Sequence, residues 1–404
     1  MPSLDLDTPR GRLAGAYDDT FAPVVDAFVA NFADRGEIGA SLCVIDRGTT
    51  VVDVWGGVAE PRTGAPWESD TVSVVYSCTK GATALCAHLL ADQGQLDLDG
   101  PVADVWPEFA AGADGAKATA TVRMMLDHSV GVPVFRAPLA PGELYDWNRI
   151  VARLEAEAPF WQPGTRNGYH MLNFGWTVGE LVRRVSGRSL GAYFAEAVAD
   201  PLGIDFWIGL PEEIEPRVAP MLPYVRSSGA PLNEFALAVV GDPTSIPALS
   251  LSNLVDFDPN SRAGHAAEIG GGGGISNGRG LAGMYRPLSL GGDGFVTGAA
   301  VDRMRRVATA TNRDATLCMP TRFGLGFMVS MDNRRVAGAD SAVLGEHAFG
   351  HVGAGGSIGF ADPAHGLAVG YSMNRMGPGV LLNDRGQTLV DAVYDAVGQP
   401  LPPA

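Results

Sequence analysis

The sequence has almost no lysine. Only Lys80 and Lys117 among its 29 basic residues are lysines, and the other 27 are arginines. Arginine keeps its proton in proteins, whereas a buried lysine can lose it. A lysine that is retained in such a chain therefore indicates a position where the amine must be able to become neutral.

Cysteine, net positive charge and long apolar runs are also scarce. Four scattered cysteines among 404 residues, without metal-binding spacing, indicate a reduced, cytoplasmic protein with no bound metal. A net charge of −16 argues against nucleic acid and against an anionic membrane surface as partners. The first residues have neither the basic nor the apolar part of a signal peptide, and no run of about 18 apolar residues predicts a membrane span.

Strand patterns occur near both ends of the chain, and helical patterns fill the middle. A helix at 21–32 precedes a predicted hairpin, with strands at 40–46 and 50–55 and a turn at 47–49. Helix-forming segments follow, and strand patterns return late. The predicted helices are 78–90, 121–127, 146–157, 173–185, 189–199 and 386–397, and the late strands are 323–331, 347–351, 356–361 and 367–373. The proline-rich segment 211–250 predicts an extended loop region.

This order predicts an α/β (α+β) fold. We expect an antiparallel sheet flanked by helices and built from both termini, plus an inserted, mostly helical domain. Residues 1–80 and 290–404 would form the discontinuous α/β domain, and residues 81–289 the helical domain. The active site would then lie in the cleft between them.

Ser77 and Lys80 are the main candidates for chemistry. Three residues is nearly one helical turn, so both side chains lie on one face of the helix that is predicted to begin there. The following stretch to residue 90 has no further charged residue, which indicates a buried helix. A serine needs a base within hydrogen-bond reach to act as a nucleophile, and a lysine of lowered pKa can supply it. The motif is short, however, and also arises by chance.

Tyr169 is the candidate proton shuttle. It follows the glycine-rich turn 164–168 and precedes a helix predicted to begin near Asn173. Its phenol could relay protons if Lys80 lowers its pKa. An ordinary half-buried tyrosine explains the same local pattern.

The segment 349–357 is the candidate third element. Its closely spaced glycines would let a substrate approach the backbone. The N–H of Ala354 could join that of Ser77 in an oxyanion hole, and His351 and Gly353 could line the substrate site. A tight turn between two strands is an equally good explanation of this segment.

Together these segments resemble the serine β-lactamase and penicillin-binding-protein superfamily. The branch that they resemble most is the class C β-lactamase-related group, which includes the family VIII carboxylesterases and related acyltransferases. Ser77 to Lys80 matches the Ser-x-x-Lys motif, and four further segments match in order. These are 94–99, 126–132, 163–165 leading to Tyr169, and 272–277. The resemblance covers about residues 20–390 and implies that Ser77, Lys80 and Tyr169 are catalytic.

Two departures from the β-lactamase pattern indicate the esterase branch. Tyr-x-Asn is here Tyr169, His170 and Met171, and Lys-Thr-Gly is here His351, Val352 and Gly353. The resemblance implies that His170 and Met171, like His351 and Gly353, bind the substrate. Losing the cation should weaken anionic substrates. The resemblance thus implies a carboxylesterase with little β-lactamase activity, with a small-molecule ester as substrate and no cofactor. An acyltransferase, a D-amino-acid peptidase or amidase, and a β-lactam hydrolase stay open, as does the oligomeric state.

Three other hypotheses compete with this one. Residues 274–278 fit the Gly-x-Ser-x-Gly pattern of α/β-hydrolases, with Ser276 as nucleophile and Asp293 and His351 following, but glycines rather than a strand precede Ser276. A non-catalytic sensor on the same scaffold would also keep Ser77. His347 and His351 are spaced i, i+4 but fall in a predicted strand, which does not favour a metal site.

Overall fold

A computed structural model describes residues 1–225, 232–254 and 256–403. Its strands are β1 (Ser3–Thr8), β2 (Gly11–Tyr17), β3 (Gly39–Asp46), β4 (Thr49–Glu60), β5 (Ala65–Pro66), β6 (Ser73–Val74), β7 (Phe206–Trp207), β8 (Ile275–Ser276), β9 (Thr309–Thr311), β10 (Thr321–Phe323), β11 (Met328–Val329), β12 (Phe349–Val352), β13 (Ile358–Asp362) and β14 (Leu367–Met373). Its helices are α1 (Ala22–Asp34), α2 (Thr79–Asp92), α3 (Pro107–Ala111), α4 (Val122–Leu126), α5 (Trp147–Ala156), α6 (Asn173–Ser186), α7 (Leu190–Phe194), α8 (Asp200–Leu202), α9 (Glu234–Gly241), α10 (Ile246–Ser252), α11 (Arg262–Ala266), α12 (Gly278–Ser289), α13 (Gly298–Arg305) and α14 (Asp384–Ala396).

Strands from both ends of the chain form one antiparallel sheet. In the described ranges its order is β1-β2-β4-β3-β14-β13-β12-β11-β10-β9, and β5 pairs with β4. The two ends meet at β3 and β14, where Asp46 lies opposite Leu367 and Ala40 opposite Met373. The predicted fold class, an antiparallel sheet that is flanked by helices and built from both termini, is confirmed.

Both faces of the central strands are covered by helices. Side chains of a strand alternate between the two faces of a sheet. In β3, Leu42 and Val44 pack in the hydrophobic cluster that contains α1 and α14, whereas Cys43 and Ile45 pack in the cluster that contains α12. This explains why the whole of β3 reads as an apolar run rather than as an alternating pattern.

The first hairpin forms as predicted, and a second one precedes it. Arg47 and Gly48 connect β3 to β4 with φ of +45° and +82°, the left-handed geometry of a tight two-residue hairpin turn. The hairpin β1–β2 was not predicted. Its Leu4 and Leu6 alternate with aspartates, which is a strand period, but the segment is largely exposed and therefore lacks the apolar signal of a core strand.

Helix α2 runs through the middle of the molecule and is buried from Thr79 to Leu90. It packs against α6, and both were predicted. The prediction of an extended loop at 211–250 is wrong in part, because α9 and α10 form within it, while its residues 226–231 lie outside the described residues. Ser245 caps the start of α10 by accepting the Ala248 N–H, so the proline at 247 falls in the first helical turn, where it is tolerated.

The late strands differ from the prediction at two places. Strand β9 was not predicted. The segment 323–331 forms two short strands, β10 and β11, because Gly324 donates to Phe327 O and Gly326 adopts φ of +83° between them. Helix α12, which was not predicted, lies against the sheet, where the Gly278 N–H donates to Ser41 Oγ. The division at residues 80 and 290 stays a prediction.

No single helix in the described ranges is long and apolar enough to cross a membrane. The pair α9 and α10, bent by 82° at their connection, passes that test only when the two helices are counted together, by length and composition.

Candidate active site

Ser77 lies in the short helix Tyr76–Cys78 that leads into α2. Backbone N–H groups in the first turn of a helix lack intrahelical acceptors. Tyr76, just before Ser77, has φ of +45°, a left-handed conformation that tyrosine rarely adopts. Such strained residues cluster at functional sites, where the surrounding structure holds them. Here Thr79 Oγ1 donates to Tyr76 O at 2.5 Å and accepts the Gly274 N–H at 2.8 Å, which fixes the turn.

Lys80 reaches Ser77 from the next turn and is fully buried. Its Nζ lies 3.1 Å from Ser77 Oγ. The same nitrogen lies 2.6 Å from Met171 O and 2.5 Å from Gly271 O. The predicted pairing of the Ser77 hydroxyl with the Lys80 amine within hydrogen-bond reach is therefore present in the structure.

Burial holds the pKa of Lys80 well below its ordinary value, and the neighbouring Cys78 opposes only part of that shift. A neutral amine has two N–H donors and one lone pair. The carbonyls of Met171 and Gly271 accept the two N–H groups, which leaves the lone pair for the Ser77 hydroxyl. The arrangement is therefore that of a base directed at a serine hydroxyl.

Tyr169 lies beside both groups and is 5% exposed. Lys80 Nζ is 4.7 Å from the centre of its ring, and the ring stacks on Phe323 at 5.8 Å with an interplanar angle of 9°. Its backbone N–H donates to both carboxylate oxygens of Asp314 at 3.0 Å. Among the described residues its buried phenol oxygen has no hydrogen-bond partner.

The expectation that Lys80 lowers the pKa of Tyr169 is not met. Burial raises the pKa of the Tyr169 phenol, the Ser77 hydroxyl opposes part of this rise, and the negative charges of Cys78 and Asp314, where present, add to it. The expectation fails because removing the phenolate from water costs more than the neighbouring groups return. Tyr169 therefore holds its proton and is suited to donate it.

The two predicted oxyanion donors, Ser77 and Ala354, line the same cavity. Ala354 lies in the turn after β12, and in the described part of the chain no acceptor binds its N–H. Gly353 donates to Ser357 O at 2.8 Å and so closes this turn. A Cβ on Gly353 would meet Val75 O at 2.3 Å, so the turn needs glycine to pack against the strand before Ser77.

The cavity above Ser77 has a volume of about 270 Å³. Among the described residues, none that lines it carries a formal charge. They are Tyr76, Ser77, Tyr169, Met171, Leu172, Leu254, Phe257, Pro259, Gly271, Gly272, Leu317, Ala354, Met376 and Val380. The site therefore brings a serine hydroxyl, a buried amine and a buried phenol together at the edge of an apolar chamber.

Of the predicted substrate-binding residues, only Met171 lines this cavity. His170 and His351 are buried behind Tyr169, and burial lowers the pKa of each to about 3, so both are neutral. The Nδ1 atom of His170 lies 2.7 Å from Gly168 O, and that of His351 lies 2.8 Å from Val352 O. Gly353 is likewise buried outside the lining.

Sequence analysis missed the apolar lining of the cavity and the hydrogen bonds from Tyr169 to Asp314. Leu254, Phe257, Leu317 and Met376 come from distant parts of the chain, and no local pattern marks them as neighbours of Ser77. Asp314 is fully buried and lies 145 residues from Tyr169 along the sequence. A single aspartate in a predicted loop gives no signal of such a contact.

The comparisons with known proteins agree with this geometry. The sequence model of the family described as Beta-lactamase matches residues 22–393. The chain belongs to this family. It is 35% identical over 391 residues to the esterase/beta-lactamase LipL of Mycobacterium tuberculosis, covering 92% of this chain and 85% of LipL.

Two solved structures of beta-lactamase-like proteins resemble the whole chain. A crystal structure of a family VIII carboxylesterase has a TM-score of 0.83 and 39% identity, covering 95% of this chain and 99% of that one. A penicillin-binding-protein homologue from Caulobacter crescentus has a TM-score of 0.82 and 32% identity, with the same coverage of 95% and 99%. The resemblance that the motifs predicted is confirmed.

Ser276 has a structural role in this beta-lactamase family chain. It is fully buried, and its hydroxyl donates to Asp205 O at 2.7 Å. The next residue, Asn277, caps helix α12 by accepting the Gly280 N–H. Asp293 pairs with Arg286 instead of a histidine. Since the Ser276 hydroxyl contacts only backbone carbonyls among the described residues, the α/β-hydrolase hypothesis is not supported.

Within the described ranges, the structure shows no arrangement of side chains for cysteine or metal chemistry. Cys78 is buried and its pKa is raised to about 12 by burial, as expected for a packing residue. Within these ranges no group of three histidine, cysteine or acidic side chains could hold a metal ion. His347 lies with its Nδ1 3.2 Å from Arg305 Nη1, which is a cation rather than a fellow ligand.

Proposed function

We propose that this member of the beta-lactamase family is a serine hydrolase that cleaves carboxylic esters through an acyl-enzyme on Ser77. The observation that carries the proposal is the 3.1 Å contact between Ser77 Oγ and the buried Lys80 Nζ at the edge of an uncharged cavity. The family VIII carboxylesterase structure and the esterase LipL support the reaction class.

Acylation begins when the Ser77 oxygen attacks the ester carbonyl carbon. Lys80 takes the hydroxyl proton as the new C–O bond forms, and the carbonyl electron pair moves to oxygen. The backbone N–H groups of Ser77 and Ala354 stabilise the resulting oxyanion. Because these donors are fixed by the helix turn and by the turn after β12, they need no reorganisation during the reaction.

Collapse of the intermediate expels the alcohol. Tyr169 donates its phenol proton to the leaving oxygen as the C–O bond breaks, and it regains a proton from the Lys80 ammonium. In the second half of the cycle a water molecule attacks the acyl carbon and loses its proton to the same base. When the bond between the acyl carbon and Ser77 breaks, the Ser77 oxygen takes the proton from the Lys80 ammonium and the carboxylic acid is released. The proton count balances over the cycle.

The apolar cavity favours uncharged esters over anionic β-lactams. A carboxylate that enters it loses hydration and, among the described lining residues, meets no lysine or arginine. Met171 and His351 stand where β-lactamases have an amide and a cation. LipL bears both activities in its name, so β-lactam cleavage is the main competing function. We propose that it is weak here. The cytoplasmic location also stays a proposal.

Turnover of p-nitrophenyl butyrate and of a chromogenic cephalosporin, by wild type and by Ser77→Ala, tests the proposal. We expect ester turnover that disappears in the variant and little cephalosporin cleavage. Ester turnover that survives Ser77→Ala would contradict the assignment of the nucleophile. Strong cephalosporin cleavage would show instead that the missing cation does not govern substrate choice. Adding an alcohol or amine acceptor separates hydrolysis from acyl transfer.

A further inference from the structure

A second cavity lies beside the catalytic one. Its volume is about 400 Å³, and Leu317 and Val380 line both cavities. The loop 312–320, the start of α9 and the segment 336–340 form the rest of its wall. Leu317 is 3% exposed. The side chains of Leu317 and Val380 therefore form a shared wall between the chamber above Ser77 and the second chamber.

The second cavity is apolar where it adjoins this wall. Phe235, Met319, Val336 and Ala339 line it, together with the two wall residues. The charged residues that line the second cavity already have hydrogen-bond or ion-pair partners. Glu234 and Arg313 are exposed and pair with each other, and an Asp340 carboxylate oxygen accepts the Val380 N–H at 2.7 Å. The cavity therefore favours an apolar ligand rather than an ionic one.

Asp314 links the wall to Tyr169 by hydrogen bonds to both. One Asp314 carboxylate oxygen accepts the Leu317 N–H at 2.9 Å, and the same carboxylate accepts the Tyr169 N–H at 3.0 Å. Thr316 N–H and Thr321 Oγ1 donate to it as well. The buried carboxylate thus fixes the position of the wall relative to the proton donor.

We propose that the second cavity binds the distal part of an unbranched apolar chain of the ester, and that Leu317 is the specificity-determining residue at the wall. The proposal rests on the ester hydrolysis proposed above. The catalytic cavity alone falls just below the roughly 300–1,000 Å³ of sites that hold whole drug-sized ligands, whereas the two together reach the middle of that range. A short ester needs only the first cavity, and a long one needs both.

The first test fills the second cavity with Ala339→Phe, which lies away from Ser77. The substrates are p-nitrophenyl butyrate and decanoate, which lengthen the acyl side, and ethyl and decyl butyrate, which lengthen the alcohol side. We expect kcat/KM for the long member of one pair to fall at least about tenfold more than for its short member. The affected pair identifies which side of the ester enters the cavity.

The second test changes the wall itself. Leu317→Ala should raise the long-to-short ratio of kcat/KM by roughly tenfold in that same pair. Leu172→Ala removes the same volume from the catalytic cavity only, and should change the ratio by less than about threefold. Titration of the free Ser77 hydroxyl with a fluorophosphonate, which forms an O–P bond and releases fluoride, gives the concentration of active sites for each of these variants.

The outcomes separate the two proposals. Ratios that stay constant in both pairs for Ala339→Phe and Leu317→Ala would overturn the second-cavity proposal, while butyrate turnover that requires Ser77 would leave ester hydrolysis intact. An equal change in Leu172→Ala and Leu317→Ala would also overturn the role of the wall, because it would show an effect of volume alone. Butyrate turnover that survives Ser77→Ala would instead remove the proposed function.

Discussion

At the scale of single residues, the two lysines differ in their hydrogen-bond partners. These partners suit one lysine to act as a base and the other to serve as a structural cation. Both are fully buried. Lys117 Nζ contacts three carbonyl oxygens, those of Leu154, Glu155 and Glu157, so all three donors of an ammonium are used. Lys80 contacts two carbonyls and the Ser77 hydroxyl. Only Lys80 has a partner that can give up a proton.

The first prediction follows from this contrast. Lys80→Ala should lower kcat for p-nitrophenyl butyrate by roughly 10³-fold or more, because the base is lost. Lys117→Ala is the matched control, and it should lower the thermal midpoint while keeping kcat per folded active site within about threefold of wild type. Steady-state rates per mole of protein, with folding of each variant checked by circular dichroism, measure both. Equal losses of kcat in the two variants would remove the special role of Lys80.

Tyr169→Phe removes the phenol proton and keeps the ring that packs on Phe323. We expect kcat to fall at least about 10²-fold with little change in KM, since proton donation is needed in the transition state and not for substrate binding. Initial rates over a range of ester concentrations separate the two parameters. A rise in KM at constant kcat would show that Tyr169 only lines the cavity and does not donate a proton.

The pH dependence follows from the directions of the two pKa shifts. Lys80 acts as a base only when neutral, so kcat/KM should rise with pH through the Lys80 pKa, which burial places well below its ordinary value. Tyr169 must keep its proton, and its raised pKa places any alkaline loss above the ordinary tyrosine value of about 10. A pH–rate profile of the wild type checks the acid limb, set by Lys80, and the alkaline limb, set by Tyr169. The alkaline limb should be absent in Tyr169→Phe. An acid limb centred near 10.5 would contradict a neutral Lys80.

At the scale of secondary structure elements, glycines let α6 approach the run 270–274. A Cβ on Gly175 in α6 would lie 2.1 Å from Gly271 N and 2.6 Å from Gly270 C. The carbonyl of Gly271 holds Lys80. The helix and the glycine run are therefore packed backbone to backbone at the point that positions the base.

Gly175→Ala should therefore displace the run and disturb the base. We expect kcat to fall at least about tenfold and the thermal midpoint to decrease, because small shifts in catalytic geometry are costly. Gly241→Ala, at the end of α9, is the matched control, since its Cβ would meet open space and its φ is not left-handed. Rates and thermal unfolding of both variants test this. Wild-type values in Gly175→Ala would show that the contact can relax.

At the scale of the whole molecule, a buried ion pair joins the two ends of the chain. Arg385 Nη1 lies 2.5 Å from Glu37 Oε1, and the Tyr371 hydroxyl donates to the same carboxylate. Arg385 Nη2 also donates to Arg375 O at 2.6 Å. The pair therefore connects the segment after α1 to the start of α14, beside the strand pairing of β3 and β14.

Arg385→Met should leave the Glu37 charge buried without its partner. We expect the free energy of unfolding to fall by about 3–5 kcal/mol. Adding Glu37→Gln removes the unpaired charge and should recover about 1 kcal/mol or more of coupling in a double-mutant cycle. Urea unfolding at pH 7 measures all four proteins. Strictly additive losses in the cycle would show that the two side chains do not act as a pair.

The sequence by itself determined the local elements and the chemical residues. The spacing of Ser77 and Lys80 placed them about one turn apart where helical structure begins, and the apolar runs of β3 and β14 fixed two central strands, because these are properties of short segments. The motif order also predicted the family. Short exposed strands such as β1, and helices inside a proline-rich segment such as α10, were missed because their local signals are weak.

Only the tertiary structure decided what surrounds these residues. Lys80 has a lowered pKa because distant segments bury it and supply the carbonyls of Met171 and Gly271. Tyr169 keeps its proton, contrary to the expectation that Lys80 lowers its pKa, because it too is buried. The roles of Asp314 and Leu317 likewise arise from contacts across more than a hundred residues. Solvent exclusion and long-range packing depend on the whole folded chain, and no local pattern records them.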